Sequence, residues 1–195
     1  MDDRLLERWL EEVVETPGLT ALATVEEARP VLLDDALRAA PLLEEADGRV
    51  IDVGSGGGSP GIPLAAALPQ RSFTLLEAAR RKADALARLA RDLPNAEVVW
   101  GRAEEQAPEA YGIALAKALA RPPVAAELTL PLVRKGGVAI LWVGSTADRE
   151  HVARVAARLA AELEREHEGL LVLRKLGPTP PGFPRRPGMA NKRPL

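Results

Sequence analysis

Val50-Ile51-Asp52-Val53-Gly54-Ser55-Gly56-Gly57-Gly58-Ser59-Pro60-Gly61 is a short apolar run that enters a glycine-rich turn and opens a helix. An apolar run of this length suits a strand buried on both faces, and the glycines allow positive φ and close approach of the backbone to a ligand. Pro60 and Pro63 fit the start of a helix, where N–H groups lack intrahelical partners anyway. Strand, glycine turn and helix together form a cradle of the nucleotide-binding type. Outward from this unit the alternation continues. Residues 73–76, 96–100, 112–116 and 138–143 read as further strands, and residues 61–68, 79–93, 124–134 and 147–166 as helices. Strands alternating with helices predict an α/β fold, with a mostly parallel sheet of about six strands covered by helices on both faces.

The glycine spacing selects among cofactors. A dinucleotide fingerprint, G-x-G-x-x-G, needs a third glycine where this chain has Ser59. The spacing present is acid-x-G-x-G-x-G over Asp52, Gly54, Gly56 and Gly58, with Glu77 closing the next strand. This is the pattern of S-adenosylmethionine-dependent methyltransferases. That cofactor carries a sulfonium and no pyrophosphate, so an acid beside the turn is compatible with it, and a carboxylate at Glu77 can accept both ribose hydroxyls.

The run 52–64, with its Pro60-Gly61-Ile62-Pro63 segment, resembles the cofactor loop of the ribosomal RNA small subunit methyltransferase G family, also called glucose-inhibited division protein B. The resemblance extends to Thr74-Leu75-Leu76-Glu77-Ala78 with Arg80-Arg81-Lys82, to Gly101-Arg102-Ala103-Glu104-Glu105, and to the ending 183–195. It implies a Rossmann-like class I methyltransferase that methylates N7 of a guanine in 16S ribosomal RNA of the small subunit. It also implies that Gly54, Ser59, Ala103 and Glu104 line an S-adenosyl-L-methionine pocket with Glu77 on the ribose; Asp52 and Gly56 of the glycine spacing, and Lys117, which stands where the family has arginine, complete the candidate cofactor site. N7 bears a free lone pair and no proton, so no general base is required and none is assigned. Other readings stay open: a related methyltransferase with another acceptor, or a non-catalytic module that binds RNA or the cofactor.

The chain departs from the family at Gly18-Leu19-Thr20, at Leu32-Leu33-Asp34-Asp35-Ala36, where only the acid Asp35 is kept, and at Leu141-Trp142-Val143, where a lysine is lost. A long helix through residue 166 followed at once by the strand 170–175 leaves the family's penultimate strand missing. The alternative is that part of the segment 160–167 is not helical.

Three segments follow from charge and pattern: an acidic helical cap, 1–47; a cofactor-binding core, 48–175; and a basic proline-rich tail, 176–195. The net charge of −2 at pH 7 conceals −9 over residues 1–48 and +6 over residues 174–195. Apolar pairs recurring every four positions from Leu5 to Val14 mark an amphipathic helix, and Thr24 with Glu27 reads as a capping box before a helix that Pro30 interrupts. A cap this acidic is expected to face away from phosphate. The tail, held extended by proline, is expected to bring Arg185, Arg186, Lys192 and Arg193 to RNA or to the cofactor pocket. Zero cysteine and two histidines, His151 and His167, without ligand spacing argue against a metal site. With no long apolar run and an acidic N-terminus, the expectation is a cytoplasmic protein with no membrane association, expected to act as a monomer; the resemblance implies small-subunit ribosomal RNA as its partner.

Overall fold

The computed structural model describes residues 3–195. Seven strands, β1 Val50–Val53, β2 Phe73–Glu77, β3 Ala96–Trp100, β4 Tyr111–Ala116, β5 Val133–Trp142, β6 Ala161–His167 and β7 Leu170–Lys175, form one sheet in the order β3-β2-β1-β4-β5-β7-β6. β1 to β5 run parallel, and β7 is antiparallel to both β5 and β6. The order reverses between β1 and β4, so the carboxyl ends of these strands frame the crevice in which open α/β sheets bind ligands.

The helices are α1 Asp3–Glu15, α2 Val25–Ala28, α3 Asp35–Leu37, α4 Ala40–Glu44, α5 Gly61–Ala67, α6 Arg80–Leu89, α7 Pro122–Thr129, α8 Arg149–Arg158 and α9 Met189–Lys192. Alternation along each strand sends Val50, Leu75, Ile113 and Ile140 to one face, where α1 to α6 pack, and Ile51, Leu76, Ala114 and Leu141 to the other, under α7 and α8. The acidic N-terminal segment shares the first of these cores through Leu6, Trp9, Leu10 and Val13. Four of its carboxylates meet cations in place: Glu12 with Arg91 at 2.7 Å, Asp35 with Lys117 at 3.0 Å, Glu7 with Arg29 and Glu45 with Arg165.

Pro30 does not interrupt the cap helix as its sequence predicts. The chain winds on through a wide turn, residues Arg29–Asp34, closed by the Asp35 N–H donating to the Pro30 carbonyl. Spacing five residues apart accommodates a residue that has no N–H of its own to donate.

The C-terminal half brings a second difference. The expected helix over 147–166 ends at Arg158, and residues Ala161–His167 form the penultimate strand. Ala160 takes φ +54 to break the helix, and Glu168 and Gly169, at φ +48 and +78, make the two-residue turn into β7. Two consecutive positive φ values match the hairpin turns whose twist suits paired strands. Helix propensity of Ala, Leu, Glu and Arg suggested otherwise, but β6 is an edge strand, where charged residues suit an exposed ladder. Arg174 reaches across to Glu164, and Arg149 binds Glu166 at 2.6 Å. Similarly, the helix expected over 124–134 ends at Thr129, and Val133 already belongs to β5.

The tail is not extended. It folds back, gains one turn of helix in α9, and fixes itself through Arg185, which grips Glu127 of α7 with both carboxylate oxygens at 2.5 and 2.6 Å.

Candidate functional site

The glycine turn after β1 bends over the end of β2, where the Gly54 and Ser55 N–H groups both donate to the Leu76 carbonyl at 2.8 and 3.0 Å. Its glycines serve different neighbours. Gly54, Gly56 and Gly58 take φ of +76, +54 and +102. A Cβ on Gly56 would meet nothing nearer than 3.8 Å, because that residue faces open space. Gly57 is needed by the cap instead, since a Cβ there would lie 2.6 Å from Val13 of α1.

Two cavities meet at this turn. The first, about 290 Å³, is lined by Gly54, Gly56, Glu77, Ala103, Glu104 and Asn191 among others. The second, about 260 Å³, has apolar walls from the cap, Val13, Leu19, Val31 and Leu32, facing Ser59 and Lys117. Gly54, Gly56, Lys82 and Ala118 line both. Ala118 stands at φ +53, a conformation uncommon for a residue with a Cβ and frequent at ligand sites.

Glu77 is 8% exposed and held from both sides: Oε2 accepts the Gly56 N–H at 3.0 Å and Oε1 the Ala79 N–H at 2.7 Å. A carboxylate has roughly four lone-pair sites, so each oxygen retains capacity for a hydroxyl in the cavity. The turn behind it is fixed by Trp100, whose indole N–H donates to the Ala78 carbonyl at 3.1 Å while Arg80 stacks 4.7 Å from the ring centroid. On the far wall Glu104 accepts the Gly188 N–H at 2.8 Å, which brings the tail and Asn191 to the rim.

Asp52 lies beneath the turn, outside both cavity linings. Its Oδ2 accepts the Gly61 N–H at 3.1 Å, and its Oδ1 has no partner. Burial lifts this carboxyl from 3.8 to about 7, with the Ser55 hydroxyl and the Gly61 N–H opposing the rise and the Glu77 charge adding to it. Between those values the folded protein holds a proton that the unfolded chain has released, so the contribution is full at low pH and is lost as pH rises toward 7. Asp52→Asn keeps an acceptor for Gly61 but cannot ionise. Its stability relative to the parent is therefore expected to increase between about pH 4 and about pH 7.5 in urea melts; parallel curves would remove Asp52 as the source.

Lys117 and Ser59 line the second cavity rather than the first, and they bind the cap. The Lys117 ammonium sits between Asp35 at 3.0 Å, the Val31 carbonyl and the Ser59 hydroxyl at 3.3 Å, and the Ser59 hydroxyl donates to the Leu32 carbonyl at 2.7 Å. Trp142, at the strand end that departs from the family, donates to the Asp35 carbonyl at 3.1 Å. Arg185 is occupied by Glu127, whereas Arg186, Lys192 and Arg193 are exposed. Asn191, Lys82 and the cap residues Val13, Leu19, Val31 and Leu32 also line these cavities, and the sequence did not mark them as site candidates. Only Lys82, in the basic start of α6, carried a local signal.

Among the described residues no group of three or more metal-binding side chains occurs, and no helix is long and apolar enough to cross a membrane.

The family profile described as rRNA small subunit methyltransferase G matches residues 4–169. The ribosomal RNA small subunit methyltransferase G of Synechococcus sp. (strain JA-2-3B'a(2-13)) is 39% identical over 167 residues, covering 75% of this chain and 64% of its own length. That of Rubrobacter xylanophilus is 38% identical over 201 residues, covering 92% and 74%, and that of Trichodesmium erythraeum 34% over 203 residues, covering 91% and 80%. The chain thus spans about two thirds to four fifths of these relatives. Among solved structures, an S-adenosylmethionine-dependent O-methyltransferase from Thermotoga maritima superposes with a TM-score of 0.59 at 12% identity, covering 75% of this chain and 66% of its own. An O-methyltransferase from neocarzinostatin biosynthesis, in complex with S-adenosylmethionine, gives 0.57 at 20% identity, with 73% and 57% covered. At these identities the two structures establish the fold alone.

Proposed function

The chain belongs to the rRNA small subunit methyltransferase G family, and on that premise we propose that it transfers the methyl group of S-adenosylmethionine to N7 of a guanine in 16S ribosomal RNA of the small subunit. The observation that carries this reading is the meeting of two cavities at Gly54, Gly56 and Ala118, one bearing a bidentate-ready carboxylate and the other apolar and capped. The open space in front of Gly56 and the free acceptor capacity of Glu77 fit an adenosine cofactor in the first cavity.

When bound, S-adenosylmethionine supplies an electrophilic methyl group on a positively charged sulfur. The chain itself positions. Glu77 holds the ribose hydroxyls, Gly54 and Gly56 let the backbone come close, and Ala103 and Glu104 wall the adenine side. In the second cavity Val13, Leu19, Val31 and Leu32 exclude water around the acceptor base, while Lys117 and Ser59 fasten these cap residues to the core. With the cofactor bound, the guanine N7 lone pair would form the bond to the methyl carbon while the carbon–sulfur pair would leave with sulfur. No proton moves, so alignment of nucleophile, methyl and leaving group is the main source of rate. Asp52 supports the turn from beneath in this reading, and Arg186, Lys192 and Arg193 meet RNA phosphates. The protein acts in the cytoplasm as a single chain, without metal.

Labelled S-adenosylmethionine incubated with undermethylated small subunits is expected to leave label on a guanine. Cofactor binding without label in RNA would point to another acceptor or to a binding module, and absence of binding to S-adenosylhomocysteine at high micromolar concentration would remove the cofactor assignment. Glu77→Ala is expected to weaken S-adenosylhomocysteine binding by about 1 to 3 kcal/mol through loss of charge-assisted hydrogen bonds, read by calorimetric titration. Unchanged affinity would take Glu77 out of the site.

A further inference from the structure

A cavity of about 630 Å³ belongs to neither of the two above. Its walls come from Arg121, Pro122 and Val124 at the start of α7, Ala147 and His151 at the start of α8, and Pro194 from the tail. We propose that this cavity is a second RNA subsite, which takes an unpaired nucleobase flanking the target guanine and places that nucleotide's phosphate on Arg121. The inference rests on the RNA methyl transfer proposed above.

Position is the first argument. The segment after β4 runs from Lys117 and Ala118, which line the acceptor cavity, through Leu119 on the cofactor cavity, to Arg121 and Val124 on the large one. Ala118 and Arg121 are three residues apart, a separation of at most about 11 Å. An RNA strand whose guanine enters the acceptor cavity therefore passes this opening with a neighbouring nucleotide.

Chemistry is the second. Pro122, Pro123 and Pro194 present rigid apolar rings, and the volume lies in the range of pockets that bury a small ligand. Single-stranded RNA is recognised by bases turned out of the stack onto apolar or guanidinium surfaces. Arg121 is exposed and its guanidinium carries no ion pair among the described residues, so it is available for the bidentate phosphate contact that a lysine would not match. Arg193, exposed, directly precedes Pro194 of the lining. Asp148 is the one carboxylate in the lining, and its Oδ1 accepts the His151 N–H at 2.9 Å as the cap of α8.

The subsite is neither the cofactor pocket nor the acceptor pocket, so its loss separates from theirs. With undermethylated small subunits as substrate, Arg121→Ala and the cavity-filling Ala147→Trp are each expected to raise KM for subunits about tenfold, to change kcat less than KM, and to leave S-adenosylhomocysteine affinity unaltered. A photo-crosslinking residue at Thr146, on the rim, is expected to label a nucleotide adjacent to the methylated guanine. An unchanged KM in both variants, or crosslinks mapping elsewhere on the subunit, would overturn the subsite while methylation by the parent protein leaves the proposed activity standing. Absence of methylation by the parent protein would overturn both.

Discussion

Trp9→Ala is expected to lower folding stability by about 3 to 5 kcal/mol, the largest single effect available in the N-terminal cap. Trp9 is 2% exposed on α1, in the same core as Leu6, Leu10 and Val13, so truncation removes a large buried surface and leaves a cavity. Its consequence reaches the cofactor turn directly. The indole N–H donates to the Gly57 carbonyl at 2.9 Å, and a Cβ on Gly58 would lie 3.1 Å from that same nitrogen. Helix α1 thus rests on the turn that lines both cavities, and losing Trp9 loosens it. Trp9→Phe separates the two roles, because it fills most of the space but cannot donate. It is expected to cost less stability than the alanine variant, by urea melts, while still weakening S-adenosylhomocysteine binding in calorimetric titration. A Trp9→Ala midpoint that matches the parent protein would show that α1 does not support the core.

Arg185→Ala is the second large effect, and its sign of failure is equally plain. Glu127 is 4% exposed and takes both oxygens to the Arg185 guanidinium. Removing the arginine strands a buried carboxylate, at about 3 to 5 kcal/mol when a buried pair loses one partner. The same arginine donates to the Arg193 carbonyl at 2.8 Å, so the tail from Gly188 to Arg193 keeps its Glu104 contact but loses this second anchor, which loosens the Asn191 edge of the first cavity. Replacing both residues by leucine is expected to recover most of the stability, because well-packed apolar side chains often replace a buried ion pair without loss. The sequence-based expectation places this arginine on RNA phosphate. Stability unchanged by Arg185→Ala, together with a flatter salt dependence of RNA binding, would restore that role and remove the structural one.

The strand, the glycine turn and the helix of residues 50–67 were legible because each demand is local. Positive φ asks for glycine at that position, a buried strand asks for consecutive apolar residues, and a first helical turn tolerates proline. Glu77 was legible for the same reason, as the residue ending the next strand. The segment 161–167 was not, because its composition favours helix and only the ladder offered by β7 makes it a strand. Local propensity is a weak prior that tertiary pairing overrides.

From its sequence alone this protein's α/β order, its cofactor turn and the carboxylate that faces it are determined, since neighbouring residues specify each backbone requirement. Tertiary structure alone decides which distant groups complete the site. Trp9 meets Gly57, Lys117 meets Asp35, and Arg185 meets Glu127 across separations of 48 to 82 residues. The free energy of such contacts depends on burial and on distances of a few ångströms, which exist only once the sheet has brought the cap, the core and the tail together.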